Sequence, residues 1–188
     1  GLGDVYKRQI AGSVAVCENG NYYNRFYFVH PDGAVQHYDK KHLFTFGGEH
    51  KRFTAGTERV VVNFRGVRIL LEVCYDLRFP VWSRNLGDYD MILYVASWPT
   101  PRVDAWSALL RARAIENQCY VAGVNRMGTD PACEYSGGSA IIDPYGKTIA
   151  ECPWSRESAV SADIDMEALQ AFRKKFPVLD DADPFTLI

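Results

Sequence analysis

Short apolar runs separated by tight-turn residues fill the first half of the chain, and this pattern limits the fold more than any other feature. Three strand-like runs lie between residues 10 and 40, joined by Asn19–Gly20 and by Pro31–Gly33. Such turn residues are typical of hairpins, because Asn and Gly adopt positive φ at little cost. A further pair of apolar runs flanks Arg65–Gly66. The pattern predicts antiparallel hairpins that build a sheet.

Two segments in the second half of the chain have helical character. The segment "VDAWSALLRARAIENQ" has four apolar residues on roughly one helical face, which predicts an amphipathic helix. These residues are Ala105, Leu109, Ala112 and Ile115. The segment "DMEALQAFRKKF" begins with an Asp in a capping position and ends before Pro177. Strand-like runs alternate with these helices, so we expect an α/β layered domain.

The composition is typical of one globular domain. The chain has 188 residues, 47% of them hydrophobic, which suffices for a substantial core. Its net charge of -2 and its pI near 6.1 favour neither nucleic acid nor an anionic membrane as a partner. The longest apolar runs are far shorter than a membrane span.

The cysteines indicate the compartment and argue against a metal site. Five cysteines, odd in number and irregularly spaced, predict reduced thiols in a cytoplasmic protein. They are Cys17, Cys74, Cys119, Cys133 and Cys152. The histidines share no ligand spacing with any of them, so we expect no metal and no other cofactor.

One cysteine stands in an unusual context. The apolar run "RILLEV" ends at Cys74, and Tyr75, Asp76 and Arg78 follow at once. A buried structural cysteine is one explanation, because Cys packs as a small hydrophobic residue. The other is functional, because a residue at the carboxyl end of a strand points into the crevice where α/β proteins bind ligands. A nucleophile beside a free backbone N–H, here that of Tyr75, is half of an acyl-transfer site.

The segment "YDKKHLF" contains groups that could activate a thiol. His42 is one candidate, since cysteine nucleophiles commonly use histidine. A solvated pair at a strand end is the simplest explanation of Lys40 and Lys41. Strand alternation, however, places Tyr38, Lys40 and His42 on one face and the residues between them on the other. One lysine can therefore face the site, where its ammonium would lower the thiol pKa and stabilise an oxyanion.

Five segments together resemble the nitrilase (carbon–nitrogen hydrolase) superfamily. They are "YDKKHLF", "GGEHKRFTAG", "EVCYDLRFPVWSRN", "ASWPTPR" and "RARAIENQCYVAGVNR". They occur in order, and the resemblance extends from about Gln9 to the end of the chain. A finer resemblance to the bacterial ω-amidase-like branch is carried by "FPVWSRN", "WPTPR" and "KKFPVLDDADPF".

The resemblance assigns catalytic roles to four residues. It implies that Cys74 is the nucleophile, that Lys40 is the catalytic lysine, and that Glu49 positions the lysine and the substrate. The ammonium of Lys40 and the N–H of Tyr75 would form the oxyanion hole.

A further glutamate, the general base, lies on an earlier strand in this superfamily. We find no acidic residue in this chain that fits the role. Glu18 and Asp32 fall in predicted hairpin turns, and Asp39 is predicted on the strand face opposite the lysine. Asp4 lies in a leading segment without apolar periodicity.

The resemblance also implies the architecture. Superfamily members are four-layer α-β-β-α sandwiches that dimerise through a helical face, so we expect a homodimer for the full-length protein. Residues 1–8 resemble translated adapter sequence, and we expect them to be a non-native leader. Residues 9–188 would then be the major, C-terminal part of a carbon–nitrogen hydrolase domain that lacks its first strand and helix.

Two residues are candidates for substrate contacts. Arg78 could pair with a substrate carboxylate or with a structural partner in its own turn. Trp98 could form a pocket wall or fill the core. The predicted function is hydrolysis of a small-molecule carboxamide through a cysteine thioester, with the ω-amide of a 2-oxo dicarboxylic acid as the favoured substrate. Simple amides, N-carbamoyl compounds and nitriles are alternatives, and an inactive truncated fragment is the competing hypothesis.

Overall fold

An antiparallel sheet opens the fold. The computed structural model describes residues 8–186, so most of the expected leader lies outside the described residues. The sheet has the order β1-β2-β3, formed by Ile10–Glu18, Asn21–Val29 and Val35–Asp39. Both predicted hairpin turns are found between these strands, with positive φ at Asn19 and at Gly33.

A larger mixed sheet forms the centre of the molecule. The remaining strands are β4 (Val61–Phe64), β5 (Val67–Val73), β6 (Met91–Ala96), β7 (Tyr120–Asn125), β8 (Met127–Thr129), β9 (Glu134–Ser136), β10 (Ala140–Ile142) and β11 (Thr148–Glu151). Six of them form a sheet in the order β11-β10-β7-β6-β5-β4, whereas β8 and β9 form a separate pair. Its middle strands β5, β6 and β7 are parallel, so their carboxyl ends meet at one edge of the sheet.

Three α-helices lie in the described part of the chain. They are α1 (Pro80–Ser83), α2 (Val103–Glu116) and α3 (Met166–Lys175). The predicted cap of α3 is confirmed, because the Asp165 carboxylate accepts the Ala168 N–H at 2.8 Å. Among residues 8–186 no helix has the length and apolar character needed to cross a membrane.

The predicted helix is confirmed as α2, but its most buried face lies beside the predicted stripe, of which Ala105 and Leu109 are partly buried against the core. The helix packs through Trp106, Leu110, Arg113 and Ala114, and Ile115 is half exposed. Trp106 decides the orientation, since its large ring is fully buried and its indole N–H donates to the Gly138 carbonyl oxygen at 2.8 Å. The predicted face contained two alanines, which offer little area to bury.

Two core clusters define the layers. The first lies between the sheets and joins Phe26, Phe28 and Tyr38 of the small sheet to Leu71 and Val73 of the large one. The second lies between the large sheet and α2, with Leu70, Ile92 and Tyr94 against Trp106 and Leu110. Successive residues of β5 therefore face opposite cores, as a strand buried on both sides requires.

The described residues thus show sheet, sheet and helix layers of the expected four-layer sandwich. The outward face of the small sheet is largely exposed among residues 8–186. Ile10, Val14 and Val35 lie on this face and are each more than half exposed.

Candidate active site

Cys74 follows the last residue of β5, where the chain turns sharply into a 3-10 helix, Cys74–Arg78. Its φ of 50° lies in the left-handed region, which a residue with a β-carbon adopts at a cost of roughly 1–3 kcal/mol. The first N–H groups of a helix lack partners within it, and that of Tyr75 is one of them. The turn therefore brings a thiol and a backbone donor to the same point.

A cavity of about 500 Å³ opens at the carboxyl ends of the parallel strands β5, β6 and β7. Its volume suits a small-molecule ligand. All six side chains selected from the sequence line this cavity: Lys40, Glu49, Cys74, Tyr75, Arg78 and Trp98. The first two follow the small sheet and the other four belong to loops of the large sheet, so the site forms where the two sheets meet.

The backbone of Lys40 is fixed on both sides. Its N–H donates to the Asn24 carbonyl oxygen at 3.0 Å, and its own carbonyl oxygen accepts the Gly56 N–H at 2.9 Å. Gly56 lies so close to the strand that a β-carbon there would be 2.0 Å from the Asp39 carbonyl oxygen. A glycine is therefore required for this approach, which holds the lysine at the end of β3.

The Lys40 ammonium and the Glu49 carboxylate form a partly buried ion pair. The distance from Nζ to Oε2 is 2.7 Å, and Lys40 is only 3% exposed. Oε2 also accepts the Phe44 N–H, and Oε1 accepts the Asn24 side-chain amide. Burial by itself would raise the pKa of Glu49, but the Lys40 ammonium and these hydrogen bonds hold that pKa below its ordinary value. Glu49 is therefore a weak base, paired with the Lys40 ammonium.

The surroundings of the Cys74 thiol favour its protonated form. Burial raises its pKa above the ordinary value, and the Lys40 ammonium offsets the effect only in part. The carboxylates of Glu49 and Asp76 act in the same direction as burial. The Sγ atom lies 3.9 Å from the Ser97 carbonyl oxygen, where the thiol makes a weak hydrogen bond. Nucleophilic attack therefore requires a group that accepts the thiol proton.

The acidic residues upstream of Lys40 make other contacts. Glu18 and Asp39 both pair with the buried Arg25 guanidinium, at 3.0 and 2.7 Å. Asp32 accepts the Ala34 N–H within its hairpin turn. Asp39 does face away from the lysine, and Asp4 lies outside the described residues. Within residues 8–186, Glu49 is the one carboxylate that lines the cavity.

Sequence reasoning missed Asp76, which holds the site together. This fully buried carboxylate accepts from Tyr38 Oη and His42 Nδ1 at 2.8 Å. It also accepts the backbone N–H groups of His42, at 2.9 Å, and of Val73, at 3.0 Å. It therefore ties the segment after Lys40 to the cysteine turn. Its position two residues after Cys74 could have marked it as part of the site. Strand alternation, however, does not predict that it contacts Tyr38 and His42.

The strand alternation predicted through His42 does not extend that far. β3 ends at Asp39, and the chain then bends. The His42 ring bonds to Asp76 and stacks on Phe79 at a centroid distance of 3.8 Å, and it does not line the cavity. The Lys41 ammonium lies 5.2 Å from the ring centroid of Trp82. As expected, one of the two lysines lines the cavity, namely Lys40. His42, the other candidate for activating the thiol, does not.

Arg78 and Trp98 lie against each other at the cavity. The Arg78 guanidinium carbon is 4.9 Å from the centre of the Trp98 ring, a cation–π contact. Trp98 is 3% exposed and belongs to the core cluster below, so it is both pocket wall and core. None of the ion pairs within residues 8–186 includes Arg78, so the structural salt bridge considered for its turn is not seen there.

A second buried carboxylate lies below the cysteine turn. Glu72 of β5 accepts the Ser83 hydroxyl at 2.9 Å, and that hydroxyl lies 3.1 Å from Tyr94 Oη. Burial, and to a smaller extent the nearby Asp76 carboxylate, raises the pKa of Glu72 to about 8. Glu72 does not line the cavity, so its protonation affects the protein through stability.

Comparison with known proteins agrees with this geometry. The model of the carbon–nitrogen hydrolase family matches residues 5–174. The chain is 54% identical to the omega-amidase YafV of Escherichia coli K12 over 179 residues, 95% of this chain and 70% of that protein. It is 42% identical to the 2-oxoglutaramate amidase of Bacillus subtilis over 175 residues, 92% of this chain and 67% of that protein.

The fold is likewise shared with solved structures. The CN-hydrolase superfamily protein XC1258 of Xanthomonas campestris, whose active site carries an arsenic adduct, superposes with a TM-score of 0.93 at 46% identity. The match covers 96% of this chain and 71% of that one. The expected nitrilase-like α/β sandwich is therefore confirmed, and this chain belongs to the carbon–nitrogen hydrolase family.

Proposed function

We propose that this protein is an amidase that hydrolyses the carboxamide C–N bond of a small molecule through a cysteine thioester. Its preferred substrate is the ω-amide of a 2-oxo dicarboxylic acid. One observation carries the proposal: a thiol, a buried ammonium and a helix-start N–H converge in a single ligand-sized cavity. The names of the E. coli and B. subtilis relatives support the substrate class.

Acyl transfer would begin at the sulfur. The Cys74 thiolate attacks the carboxamide carbon, forming a C–S bond and pushing the carbonyl electrons onto oxygen. The Lys40 ammonium and the Tyr75 N–H stabilise that oxyanion. The C–N bond then breaks, the nitrogen takes up a proton, and ammonia leaves. Water attacks the thioester, releases the carboxylic acid and regenerates the thiol.

Proton transfer from the thiol needs a separate base, because the pKa of the Cys74 thiol is raised and that of Glu49 is lowered. The superfamily resemblance assigns this role to a glutamate on an earlier strand. We propose that Glu49 positions the Lys40 ammonium, and that Arg78 and Trp98 contact the substrate.

The remaining attributes follow from the sequence. We propose a cytoplasmic enzyme that acts without cofactor and has neither nucleic-acid nor membrane partners. The five free cysteines support a reducing compartment. We further propose that residues 9–188 belong to a single carbon–nitrogen hydrolase domain and that the full-length protein is a homodimer.

Ammonia release tests the function directly. The full-length protein should release ammonia from a 2-oxo dicarboxylic acid ω-amide, and Cys74→Ala in that protein should abolish the release because no thioester can form. A neutral amide, an N-carbamoyl amino acid and a nitrile of similar size should be poorer substrates. Release that persists in Cys74→Ala would refute the mechanism. A folded full-length protein that turns over none of these compounds would favour a non-catalytic remnant of such an enzyme.

A further inference from the structure

Each of the three parallel strands at the cavity is followed by an arginine that lines it. Arg78 ends the helical turn after β5, Arg102 ends the 3-10 helix Thr100–Arg102 after β6, and Arg126 directly follows β7. The three loops are neighbours, because the strands are adjacent in the sheet. The carboxyl ends of such strands are where α/β proteins bind ligands.

Aromatic rings hold the first two arginines at the cavity. Arg78 lies over Trp98, and the Arg102 guanidinium carbon is 5.4 Å from the centre of the Phe44 ring. The Trp98 indole N–H donates to the Arg102 carbonyl oxygen at 2.7 Å, so the two loops are tied together. A guanidinium that lies over a ring leaves its N–H edge free for a planar anion.

The third arginine is held in the same way. The Arg126 guanidinium carbon is 4.5 Å from the centre of the Tyr135 ring, and its backbone N–H donates to the Ala96 carbonyl oxygen at 3.0 Å. The Tyr135 hydroxyl and the N–H groups of Ala132 and Cys133 lower the pKa of the Asp130 carboxylate, and Arg126 contributes less to this shift. Asp130 accepts from the N–H groups of its own turn and from the Tyr135 hydroxyl, and it makes no ion pair with the arginine.

The cavity is strongly cationic, although the whole chain is slightly acidic. Four cationic side chains and one carboxylate occur among the described lining residues, so the lining carries a formal charge of +3 against -2 for the chain. The single carboxylate, Glu49, already pairs with Lys40. No ion pair within residues 8–186 includes any of the three arginines.

From this geometry we propose that Arg78, Arg102 and Arg126 form an anion-recognition rim. The rim selects amides whose end remote from the scissile bond carries a carboxylate, and Arg102 and Arg126 determine this specificity together with Arg78. The inference rests on the proposed function, because it concerns the substrate of the same site. Three guanidinium groups that line one cavity attract anions into it and repel cations.

A pair of alkylating reagents tests the rim without requiring turnover. Iodoacetate and iodoacetamide have nearly the same size, but only iodoacetate is an anion. Mass spectrometry measures the alkylation rate of Cys74 with each reagent, and the iodoacetate rate is divided by the iodoacetamide rate. This ratio is then normalised by the same ratio at Cys17, which is exposed and does not line the cavity. Any change in the pKa of the thiol affects both reagents equally and cancels.

We expect the normalised ratio to exceed 1 in wild type and to fall about threefold with each of Arg78→Gln, Arg102→Gln and Arg126→Gln. Arg126→Lys keeps the charge and should keep the ratio. Arg156→Gln is the matched control, since Arg156 is exposed and outside the cavity. A wild-type ratio of 1 or less, unchanged ratios in Arg102→Gln and Arg126→Gln, or an equal fall in Arg156→Gln would overturn the proposal.

Steady-state kinetics tests the same rim in the enzyme. The arginine variants should lower kcat/KM for the acidic ω-amide about tenfold or more, and should leave a neutral amide of the same chain length nearly unaffected. Equal losses on both substrates would overturn the rim while leaving the amidase function intact. Absence of turnover in the full-length protein would instead refute the proposed function, and the alkylation ratio would still decide the rim.

Discussion

Replacing Asp76 by asparagine removes the acceptor that joins the lysine segment to the cysteine turn. The carboxylate receives four donors, two at each oxygen, from Tyr38, Val73 and twice from His42. An amide retains one carbonyl oxygen and presents an NH₂ group in place of the other. At least one buried N–H then loses its acceptor, and the remaining bonds lose their charge assistance.

The cost follows from these counts. A buried donor left without a partner costs about 1–3 kcal/mol, and a charge-assisted bond that becomes neutral loses about 1 kcal/mol. Because the bonds share one group and are not additive, we expect Asp76→Asn to lower the free energy of unfolding by about 3 kcal/mol. For a chain of this length that corresponds to a fall in Tm of roughly 6–12 °C.

Thermal and urea unfolding, followed by circular dichroism, measure this loss. Asp130→Asn is the matched control, because Asp130 also accepts three hydrogen bonds but is exposed. Water replaces those bonds, so its Tm should change little. A Tm of Asp76→Asn within 1 °C of wild type, or an equally large fall in Asp130→Asn, would refute the argument.

Three further outcomes are expected. In the full-length protein, Lys40→Ala should abolish amide turnover and Lys41→Ala should leave most of it, since Lys40 lines the cavity and Lys41 does not; similar losses in both would contradict this assignment. The pKa of Glu72 is about 8 in the folded protein and about 4.3 in the unfolded chain. At pH values between these two, the folded state keeps a proton that the unfolded chain has lost, so the free energy of unfolding falls as the pH rises. Glu72→Gln should therefore raise Tm more at pH 9 than at pH 5, and an equal change at both values would count against the raised pKa. Arg173 of α3 donates to the Asp90 carboxylate and to two backbone carbonyl oxygens outside that helix. Arg173→Met should therefore lower the free energy of unfolding by about 2 kcal/mol and speed proteolysis after residue 160, and unchanged digestion would show that these bonds do not hold α3 in place.

Local chemistry determined much of this protein in advance. The turns at Asn19–Gly20 and Arg65–Gly66 depend on residues that tolerate positive φ, and each lies where the sequence predicted it. The Asp cap of α3 depends on one side chain and one nearby N–H. The resemblance pointed to Lys40, Glu49 and Cys74 together, because the motifs of a family contain residues that its common fold brings close together.

Contacts between distant segments were decided only by the tertiary structure. The most buried face of α2 depended on how Trp106 fits against β7 and Gly138, whereas helical periodicity alone favoured the neighbouring stripe. His42 turned to Asp76 because β3 ends three residues before it, which alternation along one strand does not reveal. Arg102 and Arg126 lie 24 and 48 positions after Arg78 in the chain. The three residues line one cavity because β5, β6 and β7 are parallel neighbours whose carboxyl ends lie at one edge of the sheet. Periodicity reports which residues of one element share a face, whereas the neighbour that a face meets depends on strand order and on the packing of side chains far apart in the chain.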